Sequence, residues 1–313
     1  MDRWRGRISL ILFRNAPPKI LTLGYQVLFM NVFEIKNLCW TYPGSEKPVL
    51  QDFSLEIPRG KTTVLLGPSG SGKTTFIQIL GLLWDAGLLL KTKNGEAEVL
   101  FHGNSKTYAY SKLSQADKDK CRETDFGFIL QNSYVLPQFN CWQNIAMSLL
   151  LHGVSEAQSM EIAFHLLRKE SDVARADGLG TEESLWDKRE TSAREFSLGQ
   201  RQRIAILRAI ATNPMVIFAD EPTSNLDPKT ARHICGLLKE WRDGMLGIGG
   251  QNGSRSLVVV THNLQHAYQN DYFGADYFVR MGKNEIGQTV TTNIRRNDIG
   301  DREELLNQIG HDL

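Results

Sequence analysis

The run Gly67-Pro68-Ser69-Gly70-Ser71-Gly72-Lys73-Thr74-Thr75 constrains this chain more than any other stretch. It follows the apolar Thr63-Val64-Leu65-Leu66 and precedes the helix-like Phe76-Ile77-Gln78-Ile79-Leu80. Strand, glycine loop and helix start, in that order, are the context a phosphate-binding loop requires. Small residues let successive backbone N–H groups converge on one point, and the helix dipole adds partial positive charge there. In such a loop Lys73 reaches the β- and γ-phosphates, and the Thr74 hydroxyl binds Mg²⁺. The alternative is a glycine-rich turn that merely caps a helix. At ordinary glycine content, however, the bare pattern arises in only about one chain per hundred of this length. The loop implies a nucleoside triphosphate as ligand.

Composition narrows the rest. With 313 residues the chain can bury a sizeable core, as one large α/β domain or two small ones. Its 36 basic and 35 acidic residues nearly cancel, so no global field gathers nucleic acid or anionic membrane, and no nucleic-acid partner is expected. Cys39, Cys121, Cys141 and Cys235 lie far apart with no C-x-x-C pair. That spacing fits reduced cysteines used as small apolar residues rather than a zinc site. The longest apolar run falls far short of the roughly 20 residues that cross a bilayer.

Along the chain, residues 1–30 differ in character from the remainder. Arg3, Arg5, Arg7 and Arg14 flank a short apolar run before Pro17-Pro18, and neither a signal-peptide core nor its cleavage site stands out. A poorly ordered extension is expected there, with translation starting at Met30 as one explanation and an amphipathic surface anchor as another. Short alternating segments from residue 31 to 57, separated by Pro43-Gly44 and Pro58-Arg59-Gly60, read as antiparallel strands. Strands are also expected near Val99-Leu100-Phe101, over Phe126 to Leu130, Met215 to Ala219 and Leu257 to Val260. Helices are expected from near Gln200 and over Lys229 to Trp241. Residues 132–195 are largely helical in period, with polar, poorly patterned sequence from Ser171 to Thr191. Strands alternating with helices imply an α/β fold with a doubly wound, mostly parallel sheet, its ligand at the strands' carboxyl ends.

Those strand ends carry the chemistry. Asp220-Glu221 terminates the Met215–Ala219 strand. An aspartate there can hold Mg²⁺, and the adjacent carboxylate can orient a water for attack on the γ-phosphorus. After a phosphate loop, this reading outweighs that of a solvated loop start. His262 follows the Leu257–Val260 strand in Thr261-His262-Asn263, where a neutral imidazole could donate to a γ-phosphate oxygen. Gln131, at the end of another strand, could ligate Mg²⁺ or its water.

Taken together, these motifs resemble the nucleotide-binding domain of ATP-binding cassette (ABC) proteins, in that family's order and over roughly residues 31–290. The resemblance implies a P-loop NTPase core, an antiparallel β subdomain and a helical signature subdomain over about residues 132–200, with 291–313 as a tail. Tyr42, in Trp40-Thr41-Tyr42-Pro43, matches the aromatic that stacks on adenine. Gln131 matches the glutamine-loop residue. Phe196-Ser197-Leu198-Gly199-Gln200 matches the signature usually written LSGGQ, with Ser197, Gly199 and Gln200 facing the ATP of an opposite subunit. Asp220 matches the Mg²⁺-linked aspartate, Glu221 the general base and His262 the switch histidine. Ser224-Asn225-Leu226-Asp227 matches the loop that contacts the dimer partner. Leu198 departs from the pattern by replacing a glycine, which is tolerable only if its backbone needs no positive φ.

The resemblance further implies two such domains, from a homo- or heterodimer, closing head to tail around two ATP, with Mg²⁺. A separate membrane-spanning permease subunit would be driven by that closure, placing the chain peripherally at the cytoplasmic face of the membrane. Ala219 to Asp227 and the stretch from Leu113-Ser114 to Leu136-Pro137 are similar to the lipoprotein-releasing and macrolide-exporter branch. A force-transmitting ATPase that regulates envelope or cell-division enzymes, without transport, is the alternative. A groove for the membrane subunit is expected near Ser133 to Gly153, including Tyr134, Leu136, Phe139 and Trp142. The glycine loop 244–253 carries no evident chemistry. The C-terminal residues are charged, with a short helical pattern at Glu303 to Ile309.

Overall fold

The apolar runs are explained by period-two geometry. Strands β3 (Thr62–Leu66), β7 (Val216–Asp220) and β8 (Ser256–Val260) are buried at every residue. Alternate side chains enter different cores: Val64, Ile217, Ala219, Leu257 and Val259 face one, and Leu65, Val216, Phe218, Val258 and Val260 face the other. A strand covered on both faces has no solvated side, so its sequence shows no polar alternation.

The computed structural model describes residues 31–84, 97–104, 106–131, 134–176, 184–224, 226–248, 255–268, 272–283 and 289–295. The expected extension 1–30, Asn225, Ser133, residues 249–253 of the glycine loop and the helical pattern at 303–309 lie outside the described residues. Among the described residues one sheet runs β10 (Thr289–Arg295), β9 (Tyr277–Lys283), β3, β8, β7, β6 (Phe126–Ile129). Strands β9 through β6 are parallel, and β10 alone is antiparallel. A second, antiparallel sheet runs β2 (Leu50–Pro58), β1 (Asn31–Trp40), β4 (Glu98–His102), β5 (Thr107–Ala109). The expected α/β architecture, a mostly parallel core with an antiparallel β unit, is present.

Helix α1 (Lys73–Leu80) shares a core with the antiparallel sheet, through Phe76, Ile77, Ile79 and Leu80. The other core is built from α3 (Cys141–Leu151), α4 (Glu156–Ala176), α5 (Leu198–Ala211) and α6 (Pro228–Arg242). Between them α2 (Gln115–Lys120) opens on a Ser114–Asp117 capping box, and a π-helical turn over Cys121–Asp125 leads into β6. The short α7 (Leu264–Tyr268) follows β8. Among the described residues no helix is long and apolar enough to cross a membrane, and none of the four cysteines is in a disulfide.

Two boundaries differ from the sequence reading. The polar stretch beginning at Ser171 is partly helix, since α4 continues to Ala176 with Glu170 and Ser171 buried. Polar side chains can enter a core when hydrogen-bonded, and hydropathy alone does not register that. Strand β10 pairs with β9 as far as Arg295, past residue 290, where the patterned domain was expected to end.

Candidate active site

The phosphate loop leaves β3 at Gly67, whose φ is +150°. A Cβ there would lie 2.1 Å from the Met281 carbonyl oxygen on β9, so only glycine fits. The loop ends at Gly72, φ +97°, which caps α1 with no side-chain hydrogen bond. The helix therefore meets the loop with its dipole and early backbone donors uncovered by a capping side chain. Pro68, Ser69, Gly70 and Thr74 are exposed, whereas Ser71, Gly72, Lys73 and Thr75 are buried. The Lys73 Nζ donates to the carbonyls of Gly67 (2.7 Å) and Pro68 (2.9 Å) and to Ser71 Oγ (3.4 Å), so the ammonium curls into its own loop. Burial lowers its pKa, and the carboxylates of Glu221 and Asp220 oppose that shift.

Tyr42 is tied to the same helix. Its hydroxyl lies 2.7 Å from Thr75 Oγ1, and its ring meets Trp40 and Trp84 edge to face, with centroids 4.1 and 5.5 Å away. Trp84 in turn donates from Nε1 to Gln78 Oε1 at 2.9 Å. Sequence reasoning missed Trp84 because a single tryptophan in a turn after a helix carries no spacing signal.

At the ends of β7 and β8 the acidic and imidazole groups converge. Thr74 Oγ1 donates to Asp220 Oδ1 at 3.1 Å, joining the start of α1 to the end of β7. A hydroxyl beside a carboxylate is an oxygen-only donor pair, the set that suits a hard cation such as Mg²⁺. Burial raises the Asp220 pKa, the Thr74 bond opposes that rise, and Glu221 adds to it. Glu221 adopts a left-handed φ of 48°, uncommon for a side-chain-bearing residue and typical of functional sites. Its Oε1 accepts the His262 backbone N–H (3.0 Å) and Nδ1–H (2.8 Å), while Oε2 accepts the Ser224 hydroxyl (3.0 Å). A carboxylate only accepts, so Nδ1 carries a proton in this pair. The expected donation from a neutral His262 to a phosphate oxygen therefore requires the ring to leave Glu221 or to gain a second proton.

Behind this pair, His266 Nδ1 sits 3.0 Å from Thr223 Oγ1 and the ring stacks on Tyr272 at 4.3 Å. Burial lowers the His266 pKa. These residues line a cavity of about 260 Å³ with Glu221, Ser224 and His262. Neither His266 nor Tyr272 belongs to a recognisable motif, so only the fold reveals them. Gln131 is exposed two residues beyond Ile129, which pairs with Ala219, so it leaves β6 level with Glu221 leaving β7.

The remaining expected site residues gather elsewhere, at the starts of α5 and α6. Ser197 caps α5, its Oγ accepting the Gln200 N–H (3.3 Å) while Gln200 Oε1 accepts the Ser197 N–H (3.0 Å). Leu198 opens the helix, is 48% exposed and is not among the residues with positive φ, so replacing glycine there adds no backbone strain. A Cβ on Gly199 would lie 2.9 Å from Thr230 Cγ2 of α6. Asp227 caps α6, with Oδ1 accepting from Lys229 N (3.0 Å) and Thr230 N (3.1 Å). Its pKa is lowered, chiefly by the Thr230 side chain.

The open loop, the Thr74–Asp220 pair and the Glu221–His262 pair gather where β3, β7 and β8 end. Residues 50–224 match the family described as ABC transporter. The lipoprotein-releasing system ATP-binding protein LolD of Desulfotalea psychrophila is 31% identical over 244 residues, covering 77% of this chain and 94% of that protein. LolD of Rhodopseudomonas palustris is 32% identical over 223 residues, covering 71% and 82%. A solved dimeric ATP-binding cassette, MJ0796 in a post-hydrolysis state with ADP and Pi, superposes with a TM-score of 0.61 at 26% identity, covering 84% of this chain and 98% of that one. The chain belongs to the ABC transporter ATP-binding family, whose members hydrolyse ATP.

Proposed function

We propose that two copies of this chain, or this chain and a close relative, bind ATP at each phosphate loop and close head to tail. The observation that carries this is the separation of the site into two incomplete halves. The loop with Thr74, Asp220, Glu221 and His262 forms one half, and the capped start of α5 forms the other. In the closed pair, Ser197, Gly199 and Gln200 of one copy complete the ATP held by the other, with Asp227 at the contact between copies. The relatives' dimeric form supports this arrangement.

In the bound state Lys73 releases the loop carbonyls and binds phosphate oxygens, while Tyr42 supports the base. Thr74, Asp220 and Gln131 would hold Mg²⁺, which neutralises charge on the phosphates. Glu221 takes the proton of the attacking water at its carboxylate. Its left-handed backbone and bonds to His262 and Ser224 fix that carboxylate at the end of β7. Closure then drives a membrane-spanning permease subunit from the cytoplasmic face, as the family resemblance implies, and the relatives' name, a lipoprotein-releasing system ATP-binding protein, fits a subunit of a larger system. Tyr134, Leu136, Leu150, Leu151 and Met160, apolar and exposed on the helical subdomain, would meet that partner. Trp142 serves the subdomain's own packing instead, against Phe164 and with Nε1 donating to Glu190.

The test is concentration dependence. Specific ATPase activity of the purified chain should rise with protein concentration and fall on dilution, while nucleotide affinity stays constant. Equal specific activity at every dilution would overturn the head-to-tail reading.

A further inference from the structure

Among the described residues, the most deeply buried ion pair lies away from the phosphate loop. Glu170 on α4, Arg203 on α5 and His233 on α6 have side chains 0%, 1% and 0% exposed. Glu170 Oε1 accepts from Arg203 Nη1 at 2.6 Å and from His233 Nε2 at 3.0 Å, and Ser171 Oγ lies 3.3 Å from Oε2. Burial alone would raise the Glu170 pKa, but the contacts with His233 and Arg203 outweigh it and the net shift is downward. One carboxylate thus joins three helices at a single oxygen.

The location of this junction gives it meaning. Arg203 follows the Ser197 cap of α5 by the same interval at which His233 follows the Asp227 cap of α6, within two turns in both cases. Nearer the helix starts, Gly199 approaches Thr230 so closely that a methyl group would collide. Two separated contacts, one steric and one ionic, fix both the spacing of α5 and α6 and their rotation. Apolar packing between helices tolerates sliding, whereas a shared, directional hydrogen-bonded charge does not.

We infer that the Glu170–Arg203–His233 junction is a positioning device that holds the Ser197 and Asp227 helix starts at one fixed offset, so that both meet the second subunit together. This rests on the head-to-tail reading above. The ionic contacts of Arg203 and His233 with Glu170 lie on α4, α5 and α6 and not on the loop of Lys73 and Thr74, so their contribution falls on closure and not on nucleotide binding.

The experiment uses the full chain carrying Glu221→Gln, with ATP and Mg²⁺. Dimer dissociation is followed by sedimentation, nucleotide affinity by titration of a fluorescent ATP analogue, and folding by thermal unfolding. Two variants are added: Glu170→Gln, and the apolar triple Glu170→Met, Arg203→Met, His233→Leu. The triple leaves no buried charge uncompensated and keeps the core filled, so it retains the fold. Both should hold nucleotide within about twofold of the parent, as expected for distant sites, yet dissociate as dimers on the order of tenfold more readily. A folded triple variant that dimerises as tightly as the parent would overturn the inference. Loss of nucleotide affinity equal to the loss of dimerisation would also overturn it, by showing general damage. If the parent with Glu221→Gln itself stays monomeric at saturating ATP, it is the head-to-tail reading that fails.

Discussion

The two helix starts that serve the proposed ATP site are built in opposite ways. Helix α1 begins at Gly72 with no side chain over its end. Helix α5 begins under a reciprocal Ser197–Gln200 box that takes up the N–H groups of both residues. An uncovered start with a converging loop is an anion site ready within one chain. A boxed start is stable alone, and its hydroxyl, which accepts the Gln200 N–H, keeps its own O–H to donate to a ligand. Tight binding and closure therefore need not draw on the same residues: the first is local to α1, and the second depends on how α5 and α6 are held.

The strongest way to separate the halves is Glu221→Gln. Removing a general base lowers turnover about 10²- to 10⁴-fold, or about 3–5 kcal/mol of barrier, while ATP stays bound and the closed form accumulates. A phosphate-release assay beside a nucleotide-retention assay checks both halves of that statement. Lys73→Ala attacks the ready site instead. Loss of charged hydrogen bonds worth about 1.5–3 kcal/mol each should weaken fluorescent-nucleotide binding by about ten- to a hundredfold, with the fold intact by circular dichroism.

Smaller effects probe the boxed start. Ser197→Ala removes a helix cap, costing about 1 kcal/mol of stability in a denaturant titration, and should lower turnover without altering nucleotide affinity. Ser197→Thr should restore most of the stability. The smallest effect is the acid dependence of Glu170. Its folded pKa is depressed, so its contribution is fully present above the ordinary value of 4.5 and is lost as pH falls through the folded one. The stability gap between the parent and Glu170→Gln should therefore narrow as pH drops below 4.5, as read from denaturant midpoints across an acid series.

Much of the ready half was legible because its chemistry is contiguous. Gly67 to Thr75 occupy one loop, and Asp220-Glu221 and His262 each terminate an apolar strand whose period is visible without the fold. The antiparallel strands β1 and β2 declared themselves by alternation bounded by Pro43-Gly44 and Pro58-Arg59-Gly60. Strand β9 did not, because Tyr277 to Lys283 mixes charge and apolar residues without a clean period. Its role is seen only where Met281 closes over Gly67. Glu170 was hidden for the opposite reason: a glutamate in a polar helical stretch reads as solvated until its two partners arrive from distant helices.

Residue order alone was enough for the ligand-bearing loop, the strand-end carboxylates and the family they define, since each rests on residues close together in the chain. Three-dimensional packing had to settle that Nδ1 of His262 carries a proton, that Lys73 folds back on its own loop, and that one buried carboxylate joins three helices. Those outcomes depend on distances between residues far apart in the chain, and on burial that makes every unpaired polar atom costly. No local pattern encodes either.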